Sequence, residues 1–308
     1  MNAPNTSPTH DKLISHGTGA SAAFDERLQA IGMRLRAAGD HPSATVERQL
    51  QILDELAGIE LGRFLLEHRG LNAYWTHRVV TYSPGSRAAS PMERWLFEQA
   101  PSALATRERF GIFRSQLQAL LHPGAVMASV PCGLMGELLL LEHGPDVRLI
   151  GIDLDQQALD GARQLAEERG LADRLTLHRE DAWALTLKEE VDVLASNGLN
   201  VYEPDDTRIV ALYRTFFDAL KPGGTLVTSF LTPPPVLSPE SPWNMAEIDP
   251  EALAFQQLVF MRIIEAKWSA FRTHTQTRVQ LEEAGFTDIR FLDDRARLFP
   301  TVVASKPA

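Results

Sequence analysis

The chain has one cysteine in 308 residues, Cys132. A single thiol cannot close a disulfide within the chain and cannot furnish the sulfurs of a zinc cluster, so a stapled or zinc-built fold is excluded from the reading. Long apolar runs are also missing. No stretch approaches the roughly 20 residues that span a bilayer as a helix. The opening MNAPNTSPTHDK is polar and lacks the basic-then-apolar order of a secretory signal, which makes the cytoplasm the expected location. Positive charge is short as well: 30 Lys and Arg stand against 40 Asp and Glu, a formal net charge of −10. Such a surface repels nucleic-acid phosphates, so neither nucleic acid nor membrane is an expected partner, and a small molecule is favoured. No pairing of histidines with carboxylates shows a metal-ligand spacing, and no metal is expected. Nothing in these absences fixes an oligomeric state.

What is present is enough for a large buried core. With 44% hydrophobic and 23% charged residues, the composition is that of an ordinary globular protein, either one large domain with an appendage or two domains. Residues 1–22 are rich in Ser, Thr, Pro, Gly and Ala and read as a flexible lead-in. Residues 23–121 read as a helical cap, with Leu28, Ile31 and Leu35, then Val46, Leu50, Leu53 and Ala57, at spacings of three and four. The stretch from Gly70 to Gly85 interrupts those helices with aromatic, β-branched and turn residues, and Pro91 and Pro101 mark helix entries or breaks. Residues 122–308 then alternate strand and helix. Strands are predicted at 125–130, 147–152, 174–179, 191–196 and 225–230, with helices near 136–143, 155–169 and 205–220, an α/β pattern that implies a parallel sheet with right-handed crossovers. The proline-rich stretch 232–250 reads as a long loop over the carboxyl edge of that sheet, and a helix at 276–284 with strands at 288–292 and 298–304 completes the chain.

The most informative stretch is VMASVPCGLMGELLLLEHGPDVRLIGID, from Val126 to Asp153. Gly133 and Asp153 lie twenty positions apart, about the separation at which an α/β nucleotide site sets its close-approach glycine and the acid that takes ribose hydroxyls. A nicotinamide-dependent dehydrogenase fits less well. Its pyrophosphate turn wants three glycines, whereas this one has Gly133 and Gly136, with Pro131 in place of the first.

The order of segments resembles the class I S-adenosylmethionine-dependent methyltransferases over about Ala125 to Lys306. VMASVPCGLMGELL, LIGIDLD, REDAWAL, VDVLASNGLNVYEP and LKPGGTLVTSFL are similar to five successive motifs of that family. The resemblance implies a Rossmann-like, mostly parallel sheet closed by an antiparallel C-terminal hairpin, with S-adenosyl-L-methionine as cofactor. It implies that Asp153 takes the ribose hydroxyls, that Asp181 accepts from the adenine amino group while Ala182 offers its N–H, and that Leu154 and Trp183 sandwich the ring. Ser129, Pro131, Gly133 and Ser196 complete the expected cofactor-binding set. The first motif departs from the family: Pro131 and Met135 replace two usual glycines, and the acid that usually holds the ammonium of the methionine end is replaced by Ser129.

That departure opens an alternative. An amine without a carboxylate partner stays partly free, as needed by enzymes of the azetidine-2-carboxylate synthase type, which cyclise S-adenosylmethionine and release methylthioadenosine. A non-catalytic binding protein is a third reading. The favoured one is a methyltransferase acting on a small-molecule acceptor, in specialised metabolism; the cyclase would need no partner beyond S-adenosylmethionine itself. Catalytic candidates are Asn197, Asn200 and Tyr202 after the fourth strand, which would orient rather than deprotonate an acceptor, and Tyr74, which with Trp75 would form a lid over the sulfonium. His77 and His178 are the histidines nearest the motifs.

Overall fold

The computed structural model describes residues 18–85, 90–144, 146–268 and 270–308. The lead-in expected over residues 1–22 therefore lies outside the described residues as far as 17, and from Thr18 the chain is already helical. Six helices come first: α1 (Thr18–Ala38), α2 (Val46–Ala57), α3 (Glu60–His68), α4 (Ala73–Val80), α5 (Pro91–Glu98) and α6 (Pro101–Leu120). Their starts are chemically marked. Thr45, Asn72 and Ser90 each accept a hydrogen bond from the exposed backbone N–H three residues on, and Pro91 and Pro101 open α5 and α6, where a missing N–H does no harm. Helix α4 falls inside the stretch from Gly70 to Gly85 that the sequence reading treats as an interruption of the helices. Its aromatic and β-branched residues weaken the helical signal, but the Asn72 cap and burial of Trp75 and Val79 override that preference.

The sheet follows: β1 (Val126–Ser129), α7 (Gly136–Leu139), β2 (Arg148–Asp153), α8 (Gln156–Glu168), β3 (Leu175–Arg179), β4 (Val191–Ser196), α9 (Asp206–Ala219) and β5 (Leu220–Ser229). After α10 (Pro250–Gln256) come α11 (His274–Glu283), β6 (Thr287–Leu292) and β7 (Thr301–Ser305). The strand order is β3-β2-β1-β4-β5-β7-β6, with β7 running antiparallel to both its neighbours. This is the mostly parallel sheet with an antiparallel closing hairpin. Alternate residues serve opposite faces: Val126 and Ala128 pack toward Leu212, Phe216 and Phe286, while Met127 packs toward Phe113, Leu117 and Leu159. Burial on both faces explains why the strands read as continuous apolar runs.

The helical layer is not built from the N-terminal residues alone. Residues 250–264, which the sequence reading leaves without a helix, form α10 and continue as a π-helical segment, Gln257–Ile264. Leu258, Val259, Ile263 and Ile264 enter the same apolar cluster as Leu35, Ile52, Leu56 and Leu65. Polar ties fasten the insertion: Arg34 donates to the carbonyls of Arg262 (2.7 Å) and Ile263 (2.8 Å), and Arg69 donates to that of Glu265 (2.7 Å). Helix α6 joins the two layers, with Ala103 in the helical cluster and Phe113 and Leu117 against the sheet.

Candidate active site

The strand order reverses between β1 and β4, and at such a switch point the loops leaving the two strands part and open a crevice at the carboxyl edge. The helical layer roofs this crevice. The result is a cavity of about 470 Å³, within the usual range for small-molecule sites.

Its floor is the turn after β1. Gly133 has φ +51°, a left-handed conformation that favours glycine. A Cβ on Gly136 would fall 2.7 Å from Nδ1 of His77, so this second glycine lets α4 lie directly on the turn. Asp153, at the end of β2, is fixed by two backbone donors: Gly133 N–H to Oδ2 and Asp155 N–H to Oδ1, each 3.0 Å. Each oxygen keeps a lone pair for a ligand, in a carboxylate that is already oriented. Asp181 accepts from Trp183 N–H (3.0 Å) and so starts the short turn that presents Ala182 and the indole. Trp183 is pinned from behind, its Nε1–H donating to the Arg208 carbonyl at 2.8 Å with the Arg208 guanidinium 5.0 Å from the ring. Leu154 stays 58% exposed across from it, an apolar side chain left uncovered at a cavity wall.

Of the residues expected from sequence, Pro131, Gly133, Asp153, Leu154, Asp181, Ala182, Trp183, Asn197 and Tyr202 line the cavity. Four do not. Asn200 is buried as a tie, donating to the Tyr213 hydroxyl (3.1 Å) and the Ser229 carbonyl (2.8 Å), so it braces α9 against β5 and cannot reach an acceptor. Ser196 ends β4 inside the sheet, 3% exposed. Tyr74 packs in the helical cluster edge-on to Trp75, and both belong to the roof's own core instead of forming a lid; from this helix Ala73, Thr76 and His77 face the cavity.

Ser129 is the fourth, and the most instructive. It is 1% exposed, and its hydroxyl donates to the carboxyl of Glu137, which does line the cavity. The acid absent from position 129 is thus supplied eight residues later, from the first turn of α7. The premise that this end of the site lacks a carboxyl does not hold. A signal existed in the sequence: Glu137 is the acid nearest the turn, at the mouth of the helix that follows it. Burial raises the Glu137 pKa above the usual carboxylate value, partly offset by the Ser129 hydroxyl. Burial likewise raises the thiol of Cys132, which makes it a filler and not a nucleophile, and lowers His77, which favours the neutral imidazole.

Among the described residues, five that bear carboxyls line the cavity (Glu137, Asp153, Asp155, Glu180 and Asp181) against one arginine, Arg109, and no lysine. That imbalance suits a cationic ligand. Residues 131–224 match the methyltransferase-domain family. This match and the strand order give the chain the fold of the class I S-adenosylmethionine-dependent methyltransferases. The donor set fits the cofactor of that fold, S-adenosylmethionine, a sulfonium cation: a preset carboxylate for a diol, an aromatic and an aliphatic face for a purine, and acidic surroundings for positive charge. Among solved structures, a possible exported protein from Bordetella parapertussis is 58% identical, with 96% of this chain and 100% of that chain covered and a TM-score of 0.92. The S-adenosylmethionine-dependent methyltransferase SibL shares the fold at 19% identity, over 95% of this chain and 78% of SibL, TM-score 0.53. No curated protein matches the sequence. Among the described residues no helix is long and apolar enough to cross a membrane, and no cluster of His, Cys, Asp and Glu is arranged to hold a metal ion.

Proposed function

We propose that the protein transfers a methyl group from S-adenosylmethionine to a small-molecule acceptor, as a step of specialised metabolism. One observation carries this reading: the cavity does not end at the nucleoside-type residues but continues from Asp153 and Trp183 to an apolar wall that includes Leu65, Phe110 and Phe260, leaving a chamber beyond the cofactor's place. When bound, the cofactor supplies a methyl carbon on a sulfonium sulfur, and the acceptor's electron pair takes that carbon as the carbon–sulfur bond breaks. In this reading Asp153 holds the ribose hydroxyls, Asp181 and Ala182 read the adenine edge, and Leu154 and Trp183 clasp its faces. Glu137 takes the ammonium of the methionine end, becoming fully ionised as the cation arrives. Asn197 is oriented by the Ser229 hydroxyl, which donates to its Oδ1 at 2.9 Å, so its amide N–H groups are turned to the chamber to align an acceptor. Rate then comes from alignment and from exclusion of water under the helical roof, for which effective molarity supplies several kcal/mol, on the order of 7–11 at best.

The cyclase alternative drew its support from an uncompensated amine, and Glu137 removes that support. Nucleic acid and membrane stay outside this reading, and so does export. A cytoplasmic location is part of the proposal, tested by cell fractionation.

Mass spectrometry of the purified protein with S-adenosylmethionine, alone and with pooled small molecules, tests the reaction. S-adenosylhomocysteine formed only when an acceptor is added supports methyl transfer. Methylthioadenosine with a new amino acid from S-adenosylmethionine alone would replace it with cyclisation, and no calorimetric binding of the cofactor would remove both.

A further inference from the structure

Among the described residues the cavity has one guanidinium, and it has no partner of its own strength there. Arg109 sits in the middle of α6, is 6% exposed, and lines the chamber. Its Nε finds no hydrogen-bond acceptor, and its one hydrogen bond is a long one, Nη1 to the Ser229 hydroxyl at 3.3 Å. Among the described residues no carboxylate lies within ion-pair distance. The Asp294 carboxyl acts on Arg109 from further off, beyond hydrogen-bond reach, and is itself anchored by the N–H groups of Phe299 (2.7 Å) and Leu298 (3.3 Å). The Phe299 ring lies 5.1 Å from the guanidinium and covers it on one side. Burial lowers the Arg109 pKa to about 10, so the group is still a cation at neutral pH.

A buried, incompletely bonded cation is expensive to maintain unless an anion completes it. Much of the chamber's lining is apolar, Leu65, Leu96, Phe110, Phe260, Trp268 and Phe299 among it, with the Tyr202 hydroxyl acting on the guanidinium. The carboxyl-rich end of the cavity belongs to the residues assigned above to the cofactor, and Arg109 is fastened instead to Ser229, at the end of β5, whose hydroxyl also fixes Asn197. The acceptor end therefore has one cationic anchor in an apolar sleeve. We infer that the acceptor is an apolar organic acid whose carboxylate is held by Arg109 while its hydrocarbon part fills the chamber. The inference rests on the methyltransferase reading of this cavity. It assigns the carboxylate as the anchoring group, bound through the N–H fork of the guanidinium, whose planar donors match two carboxylate oxygens.

The probe is octanoate, with octan-1-ol as its uncharged counterpart. Each is titrated by calorimetry into the full-length protein saturated with S-adenosylhomocysteine, so that the cofactor's place is filled. Octanoate is expected to bind about tenfold to a hundredfold more tightly than octan-1-ol, the range for hydrogen bonds to a charged partner. Arg109→Leu should erase that preference and Arg109→Lys should keep part of it, both with S-adenosylhomocysteine affinity unchanged, which also reports folding. Equal affinity of octanoate and octan-1-ol for the unaltered protein overturns the inference, whatever the variants do. Loss of S-adenosylhomocysteine affinity in a folded Arg109→Lys protein also overturns it, by moving the arginine to the cofactor's carboxylate. Failure of the unaltered protein to bind S-adenosylhomocysteine at all is a separate readout; it removes the methyltransferase reading and this inference with it.

Discussion

The two ends of the cavity are made in different ways. The floor draws on short stretches at successive strand ends, where each functional side chain is held by a backbone group close by: Asp153 by Asp155 and by the turn glycine, Asp181 by Trp183. The wall draws on α3, α5, α6, residues 260 and 268, and Phe299, so its neighbours in space come from more than 200 residues of sequence. A floor of this kind is specified locally and can be preserved while the wall changes. The difference teaches where cofactor identity and acceptor identity are stored: the first in motifs, the second in packing.

The comparison can be broken most forcefully at Leu65, which is 2% exposed, belongs to the roof's core and also faces the chamber. Leu65→Ala is expected to reduce stability by about 2–5 kcal/mol, read by denaturant unfolding, while S-adenosylhomocysteine affinity stays within about twofold. A large loss of cofactor affinity in the folded variant would mean that floor and wall are one unit. Next in size, Asp153→Ala should weaken cofactor binding by about 1.5–3 kcal/mol, because the group lost is a charged acceptor. Calorimetry showing unchanged affinity would take Asp153 out of the site. Trp183→Ala should weaken binding by about 1–3 kcal/mol, the range for an aromatic face under a base. Octanoate binding to that variant should not change, which sharpens the division between the two ends.

The smallest effect is expected at Glu137, where the sign matters more than the size. Its pKa is raised in the folded protein, so the stability tied to its neutral form is present below the unfolded value near 4.5 and is lost as pH rises through the folded value. Glu137→Gln should therefore melt at about the same temperature as the unaltered protein at pH 4 and at a higher one at pH 8, without cofactor. The same variant should bind S-adenosylmethionine more weakly at pH 8. Parallel melting curves at all pH values would deny that the buried carboxyl is held at a disadvantage.

Local specification also decides what could be read from the chain alone. The strands, α8, α9 and the hairpin were legible, since apolar runs of five or six residues bounded by Gly, Pro or Asp report burial on both faces directly. So were the residues of the floor, which stand at the ends of successive strands. Helix α4 was obscured because eight residues rich in aromatic and β-branched side chains carry little helical periodicity. Residues 250–264 were obscured because Val259, Phe260, Met261, Ile263 and Ile264 are crowded together without the polar intervals that mark a helix face. Asn200 could not be told from Asn197, since the two differ only in which way a short turn points them. Arg109 left no trace at all: within TRERFGIFR it is one basic residue among others, and only the closing of α6 between roof and sheet buries it.

The insertion of residues 257–264 into the roof also sets an order on folding. Synthesis from the N-terminus exposes the apolar faces of α1, α2 and α3 long before their partners Leu258, Val259 and Ile263 exist, because Arg34 and the Arg262 carbonyl it grips are 228 residues apart. At roughly 5–20 residues per second that gap lasts on the order of ten seconds or more. Contacts of such sequence separation form late and slowly, so the helical layer spends its early life as a sticky, unfinished surface. The parallel strands β1–β5 can assemble in that interval, β6 and β7 follow later in the chain, and the roof then seats on a floor already in place.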